Sequence, residues 1–260
     1  MTPKTRVLTI FLFIGCAVVL TTGCRKLYDY ISNHGDGDYK ACNIKKITAY
    51  RYSPSDTLRK DVDTITYTFT YNRLGDPVSI TNDHVQTANP NFLFSYDKYN
   101  RLISMVQPYT GAVNYELWHK YGYNDKGQIV KDTNYFFGAI VGGVPQPSVH
   151  YGYITYQYDA KGRIIHEVDS IYISGMFANI SSSNYAYDAN GNLVTGAVYD
   201  NKLNLNRTNS VWMFIRRDYS VNNPFTALQY NENGLPLSVF GQIKLLPFAA
   251  PDIHIEYFCH

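Results

Sequence analysis

One ten-residue phrase occurs six times along this 260-residue chain. Self-similarity on that scale constrains a fold more than any local motif does. The copies read YNRLGDPVSI, YDKYNRLISM, YNDKGQIVKD, YDAKGRIIHE, YDANGNLVTG and YNENGLPLSV, and they begin at Tyr71, Tyr96, Tyr123, Tyr158, Tyr187 and Tyr230. Each has Tyr, then Asn or Asp, two free positions, a Gly (once Asn100), and an apolar residue three further on.

The phrase has the chemistry of a β-hairpin. Two residues before each Tyr stands a bulky apolar residue (Phe69, Phe94, Tyr121, Tyr156, Tyr185 and Leu228), a spacing that puts both on one face of a strand. The Asn or Asp after the Tyr suits the first position of a type I turn, where its side chain bonds the backbone two residues on. Gly75, Gly127, Gly162, Gly191 and Gly234 then supply the positive φ of a turn closed by a bulge, and Asn100 takes that place in the second copy. The returning strand opens with Leu102, Ile129, Ile164 and Leu193 in the central copies and with Pro77 and Pro236 in the outer ones. Proline is tolerated at strand starts and edges, and atypical outer copies suit the ends of an array. The next residue is again apolar in all six (Val78, Ile103, Val130, Ile165, Val194, Leu237), so either both sheet faces are covered near the turns or the bulge re-aims one of the two.

Copies start 25, 27, 35, 29 and 43 residues apart, with long insertions at residues 137–149 and around 202–223. Strand-like stretches also flank the array at residues 44–52 and 253–258. The expectation is an all-β fold, an antiparallel hairpin meander of twelve or more strands in a strongly curved sheet or partly closed barrel. The alternative is a two-sheet sandwich.

The first 23 residues read as an export signal. Lys4 and Arg6 precede a mostly apolar run at residues 7–20, too short to span a bilayer comfortably. The run ends in LTTGC, which resembles the lipobox of bacterial lipoproteins, with its Leu one position further from Cys24 than in the common pattern. That resemblance implies cleavage before Cys24, lipid attachment there, residues 24–43 as a tether and 44–260 as the repeat domain. Loss of Lys4 and Arg6 leaves 21 basic and 21 acidic residues, a balance with none of the basic excess that nucleic-acid binding calls for. Cys42 and Cys259 remain near the outer ends of the first and last expected strands. They form either a disulfide, as an oxidising compartment would favour, or two free thiols.

The motif Tyr-(Asp/Asn)-x-x-Gly-x-(Leu/Ile) resembles the YD repeat of RHS and teneurin-type proteins, most closely in the copies at Tyr96, Tyr158 and Tyr187. Six copies are too few for the shells those proteins build. The chain as a whole is similar to a group of Gram-negative lipoproteins of unknown function with a porin-like β-fold. The resemblance covers residues 44–260 and implies fold and an outer-membrane address, with almost nothing about activity.

No nucleophile elbow, phosphate loop, HExxH or paired CxxC occurs, and no cofactor is implied. The seven histidines have no ligand spacing, and HGDGD at residues 34–38 lacks the rest of a calcium loop, so no metal is expected. Glu167 and Asp169 share a strand face, best read as solvated. Of 25 tyrosines, six define the repeat; Trp118 and Trp212 are the candidate ligand-stacking aromatics. Three functions follow: a lipid-tethered envelope module that binds glycan or another envelope protein, a structural envelope component, or a hydrolase with dispersed carboxylates.

Overall fold

A computed structural model describes residues 42–52, 62–241, 243 and 250–259. The signal, Cys24 and most of the tether lie outside the described residues. The strands are β1 (Cys42–Tyr52), β2 (Val62–Tyr71), β3 (Pro77–Asn82), β4 (Phe92–Tyr96), β5 (Leu102–Pro108), β6 (Asn114–Tyr123) and β7 (Ile129–Val141). After them come β8 (Val144–Pro145), β9 (Tyr151–Tyr158), β10 (Ile164–Ile173), β11 (Met176–Asn184), β12 (Gln229–Tyr230), β13 (Pro236–Gly241) and β14 (Ala250–Cys259). They form one 14-stranded sheet in the order β11-β10-β9-β7-β6-β5-β4-β3-β2-β1-β14-β13-β12, with β8 paired to β7 alone. All the pairings are antiparallel, and the sheet does not close. The meander is therefore a single sheet and not a sandwich.

The turns follow from local chemistry. In the first copy the Asn72 side chain accepts from the amides of Leu74 and Asp76 at 2.8 and 3.0 Å, and Asp159 does the same for Lys161 and Arg163 at 2.9 Å each. Gly75, Asn100, Gly127, Gly162, Gly191 and Gly234 all have positive φ, from 61° at Asn100 to 84° at Gly191. A register shift next to the repeat Tyr marks the bulge, as between Thr70 and Tyr71. The paired apolar residues divide between the faces. Leu102, Ile129 and Ile164 are buried, whereas Val78 and Ile103 stand exposed on the opposite face, so that face is left partly uncovered.

What couples one hairpin to the next is the tyrosine hydroxyl. Tyr71 donates to the carbonyl of Ile44, Tyr96 to Pro77, Tyr123 to Leu102 and Tyr158 to Ile129, at 2.6–2.8 Å. The Tyr187 hydroxyl reaches Ile164 at 3.4 Å, and Tyr257 of β14 donates to Pro236 at 2.7 Å. In each case from Tyr96 onward the acceptor opens the returning strand of another hairpin. Burial raises the pKa of these phenols, to about 12 at Tyr123, so they remain donors at ordinary pH. Where position six is Arg, a second link forms: Arg163 pairs with Asp159 at 2.7 Å and lies 4.0 Å over the Tyr187 ring.

The chain must run from β11 at one edge of the sheet to β12 at the other, and residues 185–228 make that crossing. They carry a 3-10 turn at Leu205–Thr208 and a short helix, α1 (Ser210–Arg216). Asn209 caps the helix, its side chain accepting from the Val211 amide and donating to the Gly75 carbonyl of the first turn at 3.0 Å. Trp212 is 0% exposed and packs edge-on against Phe69 of β2 and Phe94 of β4. Phe214 does the same against Tyr121 of β6 and Tyr156 of β9. A seven-residue helix is about 10 Å long, whereas β2 and β9 stand six strand spacings apart, about 29 Å along the sheet. Only strong curvature brings both to one helix. The inner face and α1 share one core, which includes Ile47, Ile65, Tyr67, Met105, Ile164 and Ile253.

The long insertion near residue 202 supplies the core plug. Two expectations are corrected. The fifth copy makes its turn but only an isolated bridge, Tyr187↔Leu193, because the chain leaves the sheet there for the crossing. Leu228 is exposed and Ala227 is buried in its place, next to a register shift between Gln229 and Tyr230. The first and last strands are neighbours: β14 pairs with β1 in the interior of the sheet, and Cys42 and Cys259, direct partners in the register, are joined by a disulfide. Closing a loop of 217 residues limits the unfolded chain by about 5 kcal/mol in the chain-entropy model.

Tyr158→Phe removes one rung and should lower stability by about 1 kcal/mol, while the exposed Tyr99→Phe should change it by less than about 0.5 kcal/mol; urea midpoints at unchanged m-value measure both. Trp212→Ala should cost about 3–5 kcal/mol, as for a large aromatic removed from a core, and calorimetry of the melting transition reports it.

Candidate functional site

The face opposite α1 carries a row of aromatic rings in direct cross-strand register. Trp118 of β6 pairs with Tyr135 of β7, Tyr135 with Tyr151 of β9, Tyr151 with Tyr172 of β10, and Tyr172 with Phe177 of β11. Alternation places them there, since His119, next to Trp118, is on the inner face. Centroid spacings along the row are 5.0, 6.4, 4.9 and 5.8 Å. Trp118–Tyr135 and Tyr151–Tyr172 stack with interplanar angles of 29° and 11°, so these rings spend their faces on one another. Open ring surface remains at Tyr153, 37% exposed, and at Phe177, 60% exposed, both edge-on to Tyr172. Lys131 lies 5.1 Å over the Tyr153 ring and Lys120 5.3 Å over Trp118.

The hydroxyls distinguish this row from the repeat tyrosines. Those of Tyr135, Tyr151, Tyr153 and Tyr172 have no hydrogen-bond partner among the described residues, in contrast to the carbonyl-bound rungs on the other face. Ring surface combined with a line of unspent donor–acceptor groups is suited to a ligand that is apolar in patches and rich in hydroxyls.

The inner face holds a polar network beside the C-terminal end of α1. Asp132 is fully buried; its carboxylate meets His119 Nδ1 at 2.8 Å and accepts from the Tyr156 hydroxyl at 3.2 Å. Glu167 accepts from Arg217 at 3.0 Å and from the Tyr185 hydroxyl at 2.7 Å, and Arg217 also donates to the Tyr156 hydroxyl. Both carboxylates are thus engaged in holding the helix end to β7, β9 and β10. Burial, then the neighbouring Glu167 and Asp132, raise the Asp169 pKa. These groups are recessed beside the core and do not form the solvated strand face expected of Glu167 and Asp169.

A polar cleft lined by Asp188, Asn190, Asn192, Tyr199, Asp200 and Asn222 lies where the fifth copy leaves the sheet. Asp200 is already occupied there, accepting from the Asn223 amide, the Asn223 side chain and the Tyr230 hydroxyl. No group of three or more His, Cys, Asp or Glu side chains among the described residues is arranged to hold a metal.

Of the two tryptophans read as ligand-stacking, Trp212 is core and has no face to offer. Trp118 is 9% exposed and anchors the inner end of the row, stacked on Tyr135 and edge-on to the buried Tyr115. The residues that sequence reasoning passed over are Tyr153, Tyr172 and Phe177. The i, i+2 spacing of Tyr151 and Tyr153 in YGYITYQY was the visible sign of a shared aromatic face.

No protein-family model matches the sequence, and no curated protein sequence matches it. Among solved structures, the chain is similar to a porin-like protein from Bacteroides uniformis, at 11% identity over 84% of this chain and 98% of that one, with a TM-score of 0.34. It is also similar to a chain in the TcdB2-TccC3-Cdc42 structure, at 14% identity over 75% of this chain, with a TM-score of 0.28, and to one in the TcdB2-TccC3-TEV structure, at 12% identity and 0.25. It spans 11% of the length of each of those two chains. These are likenesses of fold and carry nothing about activity.

Proposed function

We propose that this chain is a lipid-anchored protein of the cell envelope and a non-catalytic binding module, with the aromatic row as a saccharide-binding surface. The observation that carries the reading is the combination on one face of open rings at Tyr153 and Phe177 with the hydroxyls of Tyr135, Tyr151, Tyr153 and Tyr172, which have no partner among the described residues. Sugar rings present C–H faces to aromatics and hydroxyls to phenols. Two features support the envelope address. The N-terminal segment has the order of a lipoprotein signal before Cys24, and the Cys42–Cys259 disulfide suits an oxidising compartment.

A glycan array probed with the full chain should return a saccharide ligand. Tyr153→Ala and Phe177→Ala should each weaken that binding roughly 2- to 10-fold at an unchanged melting temperature. Silence across the array, or binding untouched by both variants, removes the saccharide reading and leaves an envelope protein as the partner. Cys24→Ala should move the chain from the detergent phase to the aqueous phase on phase partitioning; retention in detergent would remove the lipid anchor.

A further inference from the structure

On its β7–β11 side, the end of the sheet opposite the repeat turns exposes apolar side chains, while Asp63, Asp83 and Glu116 lie toward its β2–β6 side. Three connections meet there: residues 109–113 between β5 and β6, the β7–β8 arm running on to β9, and the β10–β11 hairpin tip. They are bonded into one surface, Ile140 N–H to the Val113 carbonyl at 2.8 Å and Gly175 N–H to the Val149 carbonyl at 3.0 Å. Phe137, Val141, Val144, Val149, Ile173 and Met176 are each more than half exposed on it. Not one Asp, Glu, Lys or Arg occurs in residues 133–158 or 170–187. Large contiguous apolar surface on a soluble face marks a contact site.

Phe137 adds an independent sign. It sits inside β7 at φ +50°, a conformation that bulky side chains rarely adopt, and its ring is left in solvent. A backbone held in that region to display an apolar ring points to a function of the display.

We infer that this end of the sheet dips into the interfacial region of a lipid bilayer. Two observations select lipid over a protein partner. Six exposed apolar side chains, carried on segments without Asp, Glu, Lys or Arg and with Glu116 held beside them by Ala88 and Tyr109, match the acyl boundary. The residues that follow them inward are Tyr135, Tyr151 and Tyr172, with Trp118 and the two lysines over the rings, the composition that seats at headgroup level.

Lipid-quenched tryptophan fluorescence tests the contact in the full chain, each variant being read against the unsubstituted chain in the same vesicles, whose Trp118 and Trp212 supply the background. Val144→Trp and Val149→Trp probe the tip, and Tyr99→Trp probes an exposed site at the repeat-turn end. In vesicles of phosphatidylethanolamine and phosphatidylglycerol with brominated acyl chains, the tip probes should shift to the blue and lose roughly twofold in intensity, and the Tyr99 probe should do neither. Equal response at both ends, or none at the tip in vesicle-bound chain, overturns the inference. A blue shift without lipid, accompanied by dimeric sedimentation, overturns it in favour of a second copy. Loss of the anchor alone would appear in the Cys24→Ala partitioning and leave the tip quenching of vesicle-bound chain unchanged.

Discussion

A single sheet with one apolar face has to bury that face against something, and here a seven-residue helix does so together with its flanking segment, Leu205 and Ala227 among it. Trp212 and Phe214 reach strands that are far apart along the sheet, which requires the sheet to wrap. The wrapping in turn brings successive hairpins near enough for the repeat tyrosines Tyr96, Tyr123, Tyr158 and Tyr187 to reach the carbonyl that opens another hairpin's returning strand. Curvature, core and tyrosine ladder are therefore one solution. The helix fills the space a closed barrel would have had to fill with side chains, and that is why fourteen strands can stay open.

The repeat was legible because its chemistry is local. The Asn or Asp that caps the turn, the glycine that takes positive φ and the apolar residue that opens the return strand act within ten residues, and the structure keeps that order at Asn72–Gly75 and Asp159–Gly162. The tyrosine itself was legible as a face residue but not as a donor, since its acceptor lies 19 to 29 residues away. Pairing of β1 with β14 and the crossing of residues 185–228 depend on contacts across most of the chain, and no periodicity encodes them. The segment SVWMFIR did carry a sign. A helix apolar on nearly every side belongs in a core, and Asn209 before it is a good cap. Its two turns were too short for that pattern to stand out.

The binding face was legible only in part. Trp118 was visible as an aromatic on a strand, but its partners Tyr135, Tyr151, Tyr172 and Phe177 come from four different strands and align only through register. Sequence presents these tyrosines as interchangeable with those of the repeat. The structure separates them by what their hydroxyls meet: a carbonyl, or for Tyr230 the Asp200 carboxylate, on the inner face, and no described residue on the outer one.

The disulfide between β1 and β14 closes residues 42–259 into a covalent ring. One backbone cut anywhere in that ring opens it without releasing a fragment, and the product has new termini at the cut and the old ones tied together, the connectivity of a circular permutant. Exposed connections such as residues 83–88 or 142–150 can thus be nicked by a protease while every strand stays attached to its neighbours. Shedding part of the domain would take two cuts, or one cut and a reductant.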